Sequence, residues 1–285
     1  MRAMPNDSPR AAPAASLSVS LVLYNSDLEL VRNTLASLHR AVQVAQRSGR
    51  LGTASLCVID NATPGDYGER AQALLGTFGE LAPRYERLAA NAGFGAGHNR
   101  VIAAAKSDFH LVLNPDVEFA AGALDQALAS FVARPEVVLM APSVRGDDGQ
   151  SESLCKRHPS LLVLVVRARG LAFLRRLCRR QLDHYEMREL SAAQDLVEVP
   201  LASGCCMLAR SGALRAVGGF DERFFMYFED FDLSLRIAAQ GVVVFNPAMR
   251  IVHHGGFAAS KGWRHVRMFC RSAAHFFNRY GWRLL

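Results

Sequence analysis

Between Gly218 and Leu233 the chain places five acids, Asp221, Glu222, Glu229, Asp230 and Asp232, among six aromatics behind a glycine pair. Acids in such a setting serve one of two ends. One is proton transfer by a carboxylate held near the reacting group. The other is the acidic first turn that favours a helix start, and Leu233, Leu235, Arg236 and Ile237 do begin a helical pattern. Three further groupings carry reactive side chains. Asn114-Pro115-Asp116 presents one carboxylate after an apolar run, which suits either a turn or a hard divalent cation that takes its other ligands from phosphate and water. Val252-His253-His254-Gly255-Gly256 offers paired imidazoles, either solvent-facing or metal-ligating. Asn91-Ala92-Gly93-Phe94-Gly95-Ala96-Gly97-His98-Asn99 spaces its glycines as a backbone that approaches phosphate would. A dinucleotide fold wants G-x-G-x-x-G after its first strand. Here His98 stands where the third glycine belongs, and the motif follows the third strand, so nicotinamide binding fits poorly.

Such residues need a scaffold that gathers them. Apolar runs at Val19 to Tyr24, Ser55 to Ile59, Tyr85 to Leu88 and Phe109 to Leu113 read as strands, each ending in polar residues. Helical patterns at Asp27 to Val44, Tyr67 to Leu81 and Gly97 to Ala105 separate them, and a helix at Ala121 to Ala133 and a strand at Val137 to Ala141 follow. This alternation predicts an α/β fold with a mainly parallel sheet and helices on both faces. Ligands of such sheets bind beyond the carboxyl ends of the strands, where Asn25, Asp60, Asn91 to Asn99 and Asn114 to Asp116 all fall.

At 285 residues and 50% hydrophobic, the chain lies outside the disordered and fibrous classes. Its six cysteines form no C-x-x-C pair and read as buried apolar residues in a reducing compartment. The Ala/Pro/Ser-rich residues 1–15 predict a disordered N-terminus, and no uncharged apolar run is long enough to span a bilayer. The segments Ser153 to Leu182 and Leu233 to Leu285 each hold eight Lys or Arg and no acid. Together they exceed the whole net charge of +7, so the rest of the chain is net acidic. Such polarity suits a surface that meets something anionic.

Taken in order, Tyr24-Asn25, Val58-Ile59-Asp60-Asn61, the Asn91 to Asn99 motif, Leu113-Asn114-Pro115-Asp116, Gly218 to Leu233 and Val252 to Gly256 resemble family 2 glycosyltransferases, above all their rhamnosyltransferase-type branch. The resemblance implies a GT-A fold over residues 16–256 and an inverting transfer of one sugar from a nucleoside diphosphate donor. It implies that Tyr24, Asn25 and Asp60 line the nucleotide pocket, that Gly93, Phe94, Gly97 and Asn99 lie beside nucleotide and sugar, and that Asn114 and Asp116 take the places of the family's D-x-D metal motif. His253 or His254 would complete the shell of a divalent metal, Mg²⁺ or Mn²⁺. Asp230 matches the catalytic base, with Glu229, Asp232 and Asp221 orienting the site or holding acceptor hydroxyls.

The stretch of about 156–182 reads as a basic amphipathic insertion, and 257–285 as a basic aromatic helical segment. Both compositions suit either ordinary helices packed on the domain or a membrane interface. Beside a sugar-transfer site, a lipid-linked acceptor explains the Arg and aromatic mixture better than nucleic acid does. The expectation is therefore a cytoplasmic enzyme, peripheral on the inner face of the membrane, that docks on anionic lipid and acts on a glycan or polyprenyl-diphosphate-linked acceptor in surface polysaccharide synthesis. dTDP-rhamnose is the first donor to try. The alternatives are a UDP-hexose-dependent transferase of the same family and a non-catalytic nucleotide-sugar or glycan-binding scaffold.

Overall fold

The computed structural model describes residues 14–169, 172–255 and 262–284. Most of the N-terminal segment expected to be disordered, together with Gly256 and residues 257–261, lies outside the described residues. In chain order the first half runs β1 (Ala15–Leu23), α1 (Leu28–Arg47), β2 (Leu51–Asp60), α2 (Tyr67–Gly76), β3 (Arg84–Arg87), α3 (Phe94–Ile102), β4 (Phe109–Leu113), β5 (Val117–Phe119), α4 (Ala123–Ala133) and β6 (Val137–Arg145). Short strands β7 (Ser151–Glu152) and β8 (Cys155–Lys156) lead into α5 (Leu161–Arg169), α6 (Ala172–Leu177) and α7 (Arg179–Tyr185). The chain then forms β9 (Val197–Glu198), β10 (Leu201–Ala202), β11 (Cys206–Arg210), α8 (Ser211–Ala216), α9 (Glu229–Ile237), β12 (Val242–His253) and α10 (Trp263–Tyr280).

The main sheet has the order β3-β2-β1-β4-β11-β6-β12-β5, with β7 beside β6 and β9 beside β12. Strands β3, β2, β1 and β4 run parallel. β11 enters antiparallel between β4 and β6, so the sheet is mixed though mostly parallel. The alternation of side chains sorts its two faces. Leu111, Leu113, Met140 and Leu208 join the core under α1, α2 and α4, whereas Val112, Leu139, Met207 and Ala209 join the core that holds Ile102 of α3, Leu214 of α8 and Leu233 of α9.

Three expectations change. Helix α3 begins at Phe94, so the glycines form its first turn rather than a loop before it. They are small because the turn is packed tightly: a Cβ at Gly95 would stand 2.7 Å from Phe220 Cβ, and one at Gly97 would stand 2.8 Å from Val22 Cγ2. The basic insertion is three short helices rather than one, and it closes over its own cluster of Val163, Val166, Cys178, Leu182 and Tyr185. The aromatic face of α10 faces inward. Phe276 and Phe277, each 1% exposed, pack on Phe224 and Phe228 of the acidic segment, with Leu161 and Leu164 of α5 against the same cluster.

Candidate active site

The carboxyl ends of β1, β2 and β4 carry the first half of the site. Asp60, at the end of β2, is fully buried, and its Oδ1 accepts from Thr63 N–H at 2.8 Å while Oδ2 accepts from Tyr85 Oη at 2.8 Å. Arg87 Nε stands 3.7 Å from Oδ2. These two hydrogen bonds fill two of the four acceptor positions of the carboxylate. Burial, together with the hydrogen bond to Asp60, raises the Tyr85 phenol far above its ordinary value. Tyr85 and Arg87 share one face of β3 by their i, i+2 spacing, and Arg87 pairs in register with Asp60. Sequence reasoning passed over both, although that alternation was available.

Tyr24 is 49% exposed, and Asn25 adopts φ 51° in the left-handed region with its N–H on Thr63 Oγ1. Asn61 donates from Nδ2 to Gly93 O at 2.9 Å and accepts from Ala92 N–H, which ties the end of β2 to the glycine turn. Gly93 has φ +95°, and a Cβ there would stand 2.4 Å from Phe225 O. The next amide, Phe94 N–H, donates to that same oxygen at 3.1 Å. Only glycine lets these two backbones meet, and the contact joins the glycine turn to the acidic segment. Asn99 is held in that junction too. It receives Phe220 N–H on Oδ1 and gives Nδ2 to Phe220 O and Glu222 Oε1, so it is a brace between α3 and the acidic segment.

Asn114 and Asp116 follow β4. Asp116 Oδ1 is buried with no hydrogen-bond partner, and His253 Nε2 lies 3.5 Å from it. The other imidazole nitrogen, His253 Nδ1, faces Glu152 at 3.4 Å. His254 turns away, with Nε2 3.0 Å from Glu118 and Nδ1 on Asp147. Of the two imidazoles, His253 therefore faces Asp116. Among the described residues no group of three or more His, Cys, Asp or Glu is arranged around one point. An orphaned buried carboxylate oxygen with one imidazole nevertheless fits a hard divalent cation whose remaining ligands are diphosphate oxygens and water.

The acidic segment holds the second half. Tyr227 and Phe228 are consecutive non-glycine residues at positive φ, 72° and 65°, a strained geometry held by packing on Phe269, Phe276 and Phe277 and by the Tyr227 Oη to His265 Nδ1 contact of 3.0 Å. That corner starts α9 and aims Asp230. Asp230 Oδ2 accepts from Gly204 N–H at 3.0 Å and Oδ1 from Phe231 N–H at 2.9 Å. Burial raises its pKa above the usual carboxylate range, against the pull of these amide donors and of Ser203. Glu229 is 6% exposed and its Oε2 has no hydrogen-bond partner. Burial, then the neighbouring charge of Asp230, push it well upward, so the neutral form is favoured.

The other acids of the segment differ. Asp232 Oδ2 accepts from Arg236 Nε at 2.7 Å, and its Oδ1 accepts from Tyr280 Oη at 2.8 Å and lies 3.0 Å from Arg279 Nη1. Asp221 is gripped by Arg223, which together with Arg279 lowers its pKa strongly. Of the two expected roles, orienting the site or holding acceptor hydroxyls, the ion pairs of both acids suit the first: Arg223 and Arg236 hold them locally, and Arg279 clamps α10 to them.

Two adjacent residues connect the halves. Gly204 N–H holds Asp230, while Cys205 O accepts the amide N–H of Asn114, two residues before Asp116. This bridge comes from the small-residue stretch between β10 and β11.

Residues 18–218 match the family described as Glycosyl transferase family 2. Over 179 residues the chain is 32% identical to the N-acetylglucosaminyl-diphospho-decaprenol L-rhamnosyltransferase of Mycobacterium tuberculosis, which covers 58% of this chain and 56% of that protein. The chain thus spans about half the length of the curated relatives it matches. The fold is similar to GalNAc-T7 with UDP, GalNAc and Mn²⁺ (TM-score 0.65, 14% identity, 93% of this chain and 48% of that one). It is also similar to a Pyrobaculum calidifontis mannosyltransferase with GDP-Man and Mn²⁺ (TM-score 0.60, 16% identity, 94% and 67%). These likenesses show an α/β fold of the GT-A type with a mixed, mostly parallel sheet.

Proposed function

Because the chain belongs to glycosyl transferase family 2, we propose that it is an inverting glycosyltransferase that moves one sugar from a nucleoside diphosphate donor to a lipid-linked glycan. The observation that supports this most is the Gly204-Cys205 bridge, which sets a carboxylate of raised pKa beside the strand end that carries Asp116. Asp230 takes the proton of the acceptor hydroxyl as its oxygen bonds to the anomeric carbon. The bond from that carbon to the diphosphate oxygen breaks, and the nucleoside diphosphate leaves. Asp60, Asn25 and Tyr24 hold the base end of the donor, and Asn114 borders the diphosphate. Asp116 and His253 would hold a divalent cation, Mg²⁺ or Mn²⁺, whose contribution is to offset the charge on the leaving diphosphate. Glu229, in its neutral form, keeps a second negative charge away from Asp230.

The donor that the resemblance and the mycobacterial relative favour is dTDP-rhamnose, and the relative's name points to an acceptor in which a sugar is joined through diphosphate to a polyprenol. Transfer of labelled rhamnose from dTDP-rhamnose to such an acceptor tests the reading. A folded chain that accepts glucose or N-acetylglucosamine from UDP instead would move it to the UDP-hexose alternative. Among the described residues no helix is long and apolar enough to cross a membrane. Contact with the acceptor is proposed to come through an anionic lipid surface on the cytoplasmic side, met by Phe173 (75% exposed), Leu177 (69%) and the exposed Arg175, Arg176, Arg179 and Arg180. Equal partition to neutral and anionic vesicles at physiological salt would remove that step.

A further inference from the structure

Close enough to Asp230 for its charge to act on the Tyr185 phenol lies a pair of cations that the proposed reaction does not use. Lys156 ends β8 and pairs with Leu201 of β10, and β10 leads directly through Ser203 to the Gly204 amide that holds Asp230. The same strand is fixed to α9, since Ala202 N–H donates to Ser234 Oγ at 3.0 Å and Ser234 Oγ donates to Asp230 O at 2.7 Å. Lys156 Nζ lies 5.8 Å, and Arg167 Cζ 5.5 Å, from the centroid of the Tyr185 ring. That ring is 3% exposed and is pinned by Arg157 N–H on Tyr185 O at 2.9 Å.

The pair is short of anions. Lys156 Nζ donates to Ser153 O at 2.6 Å, and no carboxylate of the described residues makes an ion pair with it. Among the described residues Arg167 makes an ion pair with Glu186 alone, at 3.7 Å from Nε, and Glu186 is shared with Arg188 at 3.0 Å and also acts on Lys156. Burial, then the charge of Arg167, bring the Lys156 ammonium down to about 8. A half-buried lysine beside an arginine, with one acid shared between them and Arg188, leaves an excess of positive charge that an arriving anion relieves.

Resting on the transferase reading, we propose that Lys156 and Arg167, set over Tyr185, form a subsite for the diphosphate of the lipid-linked acceptor. The two cations match the two phosphates of a diphosphate ester, and the aromatic floor keeps water from one side of them. From this point Val165 of α5 and Phe173 and Leu177 of α6, all exposed, offer apolar surface of the kind a prenyl chain would follow. The donor diphosphate is assigned to the Asp116 side, so the two diphosphates occupy separate places.

The test uses the full chain with farnesyl diphosphate as probe and farnesol as its uncharged counterpart, each with and without dTDP and Mg²⁺. Farnesyl diphosphate is expected to bind at least about tenfold more tightly than farnesol, and dTDP is expected not to displace it. Lys156→Gln and Arg167→Gln should each weaken that binding by about tenfold while dTDP affinity is kept, and Lys156→Arg should restore it. Equal binding by wild type and both glutamine variants, or displacement of the probe by dTDP, overturns the subsite. Failure of dTDP and every other nucleoside diphosphate to bind counts against the transferase reading instead, and leaves the farnesyl result readable.

Discussion

The two halves of the site are built by opposite means. On the proposed nucleotide side, polar residues stand at the ends of neighbouring parallel strands, and their partners come from adjacent strands or the next turn, as with Asp60, Thr63 and Tyr85. On the proposed acceptor side, one short segment carries five acids, and what each one does is decided by its partners, some local and some from far along the chain. Arg279 of α10 reaches both Asp221 and Asp232, and Arg236 completes the hold on Asp232. Glu229 and Asp230 make no ion pair among the described residues, and these two have carboxyls raised by burial. The proposed reactive pair is thus the two acids that the arginines leave alone and that burial raises, whereas Glu222, also without an ion pair among the described residues, is exposed.

The largest test of this contrast is Asp230→Asn. Transfer should fall by about 10²–10⁴-fold, the usual worth of a positioned general base, while nucleoside diphosphate affinity is unchanged. In the wild type the acid limb of kcat should lie above the ordinary carboxylate range, because Asp230 must be ionised to act and its pKa is raised. Turnover retained in the variant would remove the assignment. Asp116→Asn should act on the other half alone, cutting metal-dependent nucleotide affinity about 10–100-fold in calorimetry. An unchanged Mg²⁺ dependence would separate Asp116 from the metal.

Removing the clamp should be felt as stability. Arg279→Ala leaves Asp221 and the buried Asp232 with one cation fewer each, at a cost of about 1–3 kcal/mol in denaturant unfolding. An unfolding midpoint equal to that of the wild type would show that α10 does not hold the acidic segment. The smallest effect concerns Glu229. Its folded pKa is raised, so the native state binds the proton more tightly than the unfolded chain does. Stability then declines as pH rises from the ordinary carboxylate range through the folded value. Glu229→Gln should flatten that decline and leave the variant at least as stable as wild type at pH 8; an unchanged pH slope would contradict the buried neutral carboxyl.

This contrast also explains what could be read in advance. The strand ends and the position of Asp116 after β4 were legible because their spacing is local and the period of each element is plain in the residues, whereas the helix start at Phe94 was not. Tyr85 was within reach of the same logic. The sorting of the acids was not, since nothing near Asp232 announces that Tyr280 and Arg279 will reach it over more than forty residues. The inward aromatic face of α10 escaped for a related reason. Its Phe and Arg mixture suits lipid or a protein core equally, and the partner that decides, Phe224 with Phe228, lies on another segment. The cation pair at Lys156 and Arg167 depends on Tyr185, which three short helices bring between them.

The division of labour between the two halves is tested most directly by titrating wild type, Asp116→Asn and Asp230→Asn with dTDP, UDP and GDP, each with and without Mg²⁺. The account predicts that one nucleoside diphosphate binds wild type in a metal-dependent way, that Asp116→Asn loses the metal dependence, and that Asp230→Asn binds as wild type does. Loss of nucleotide affinity in Asp230→Asn as large as that in Asp116→Asn would place both carboxylates in one donor pocket and contradict it.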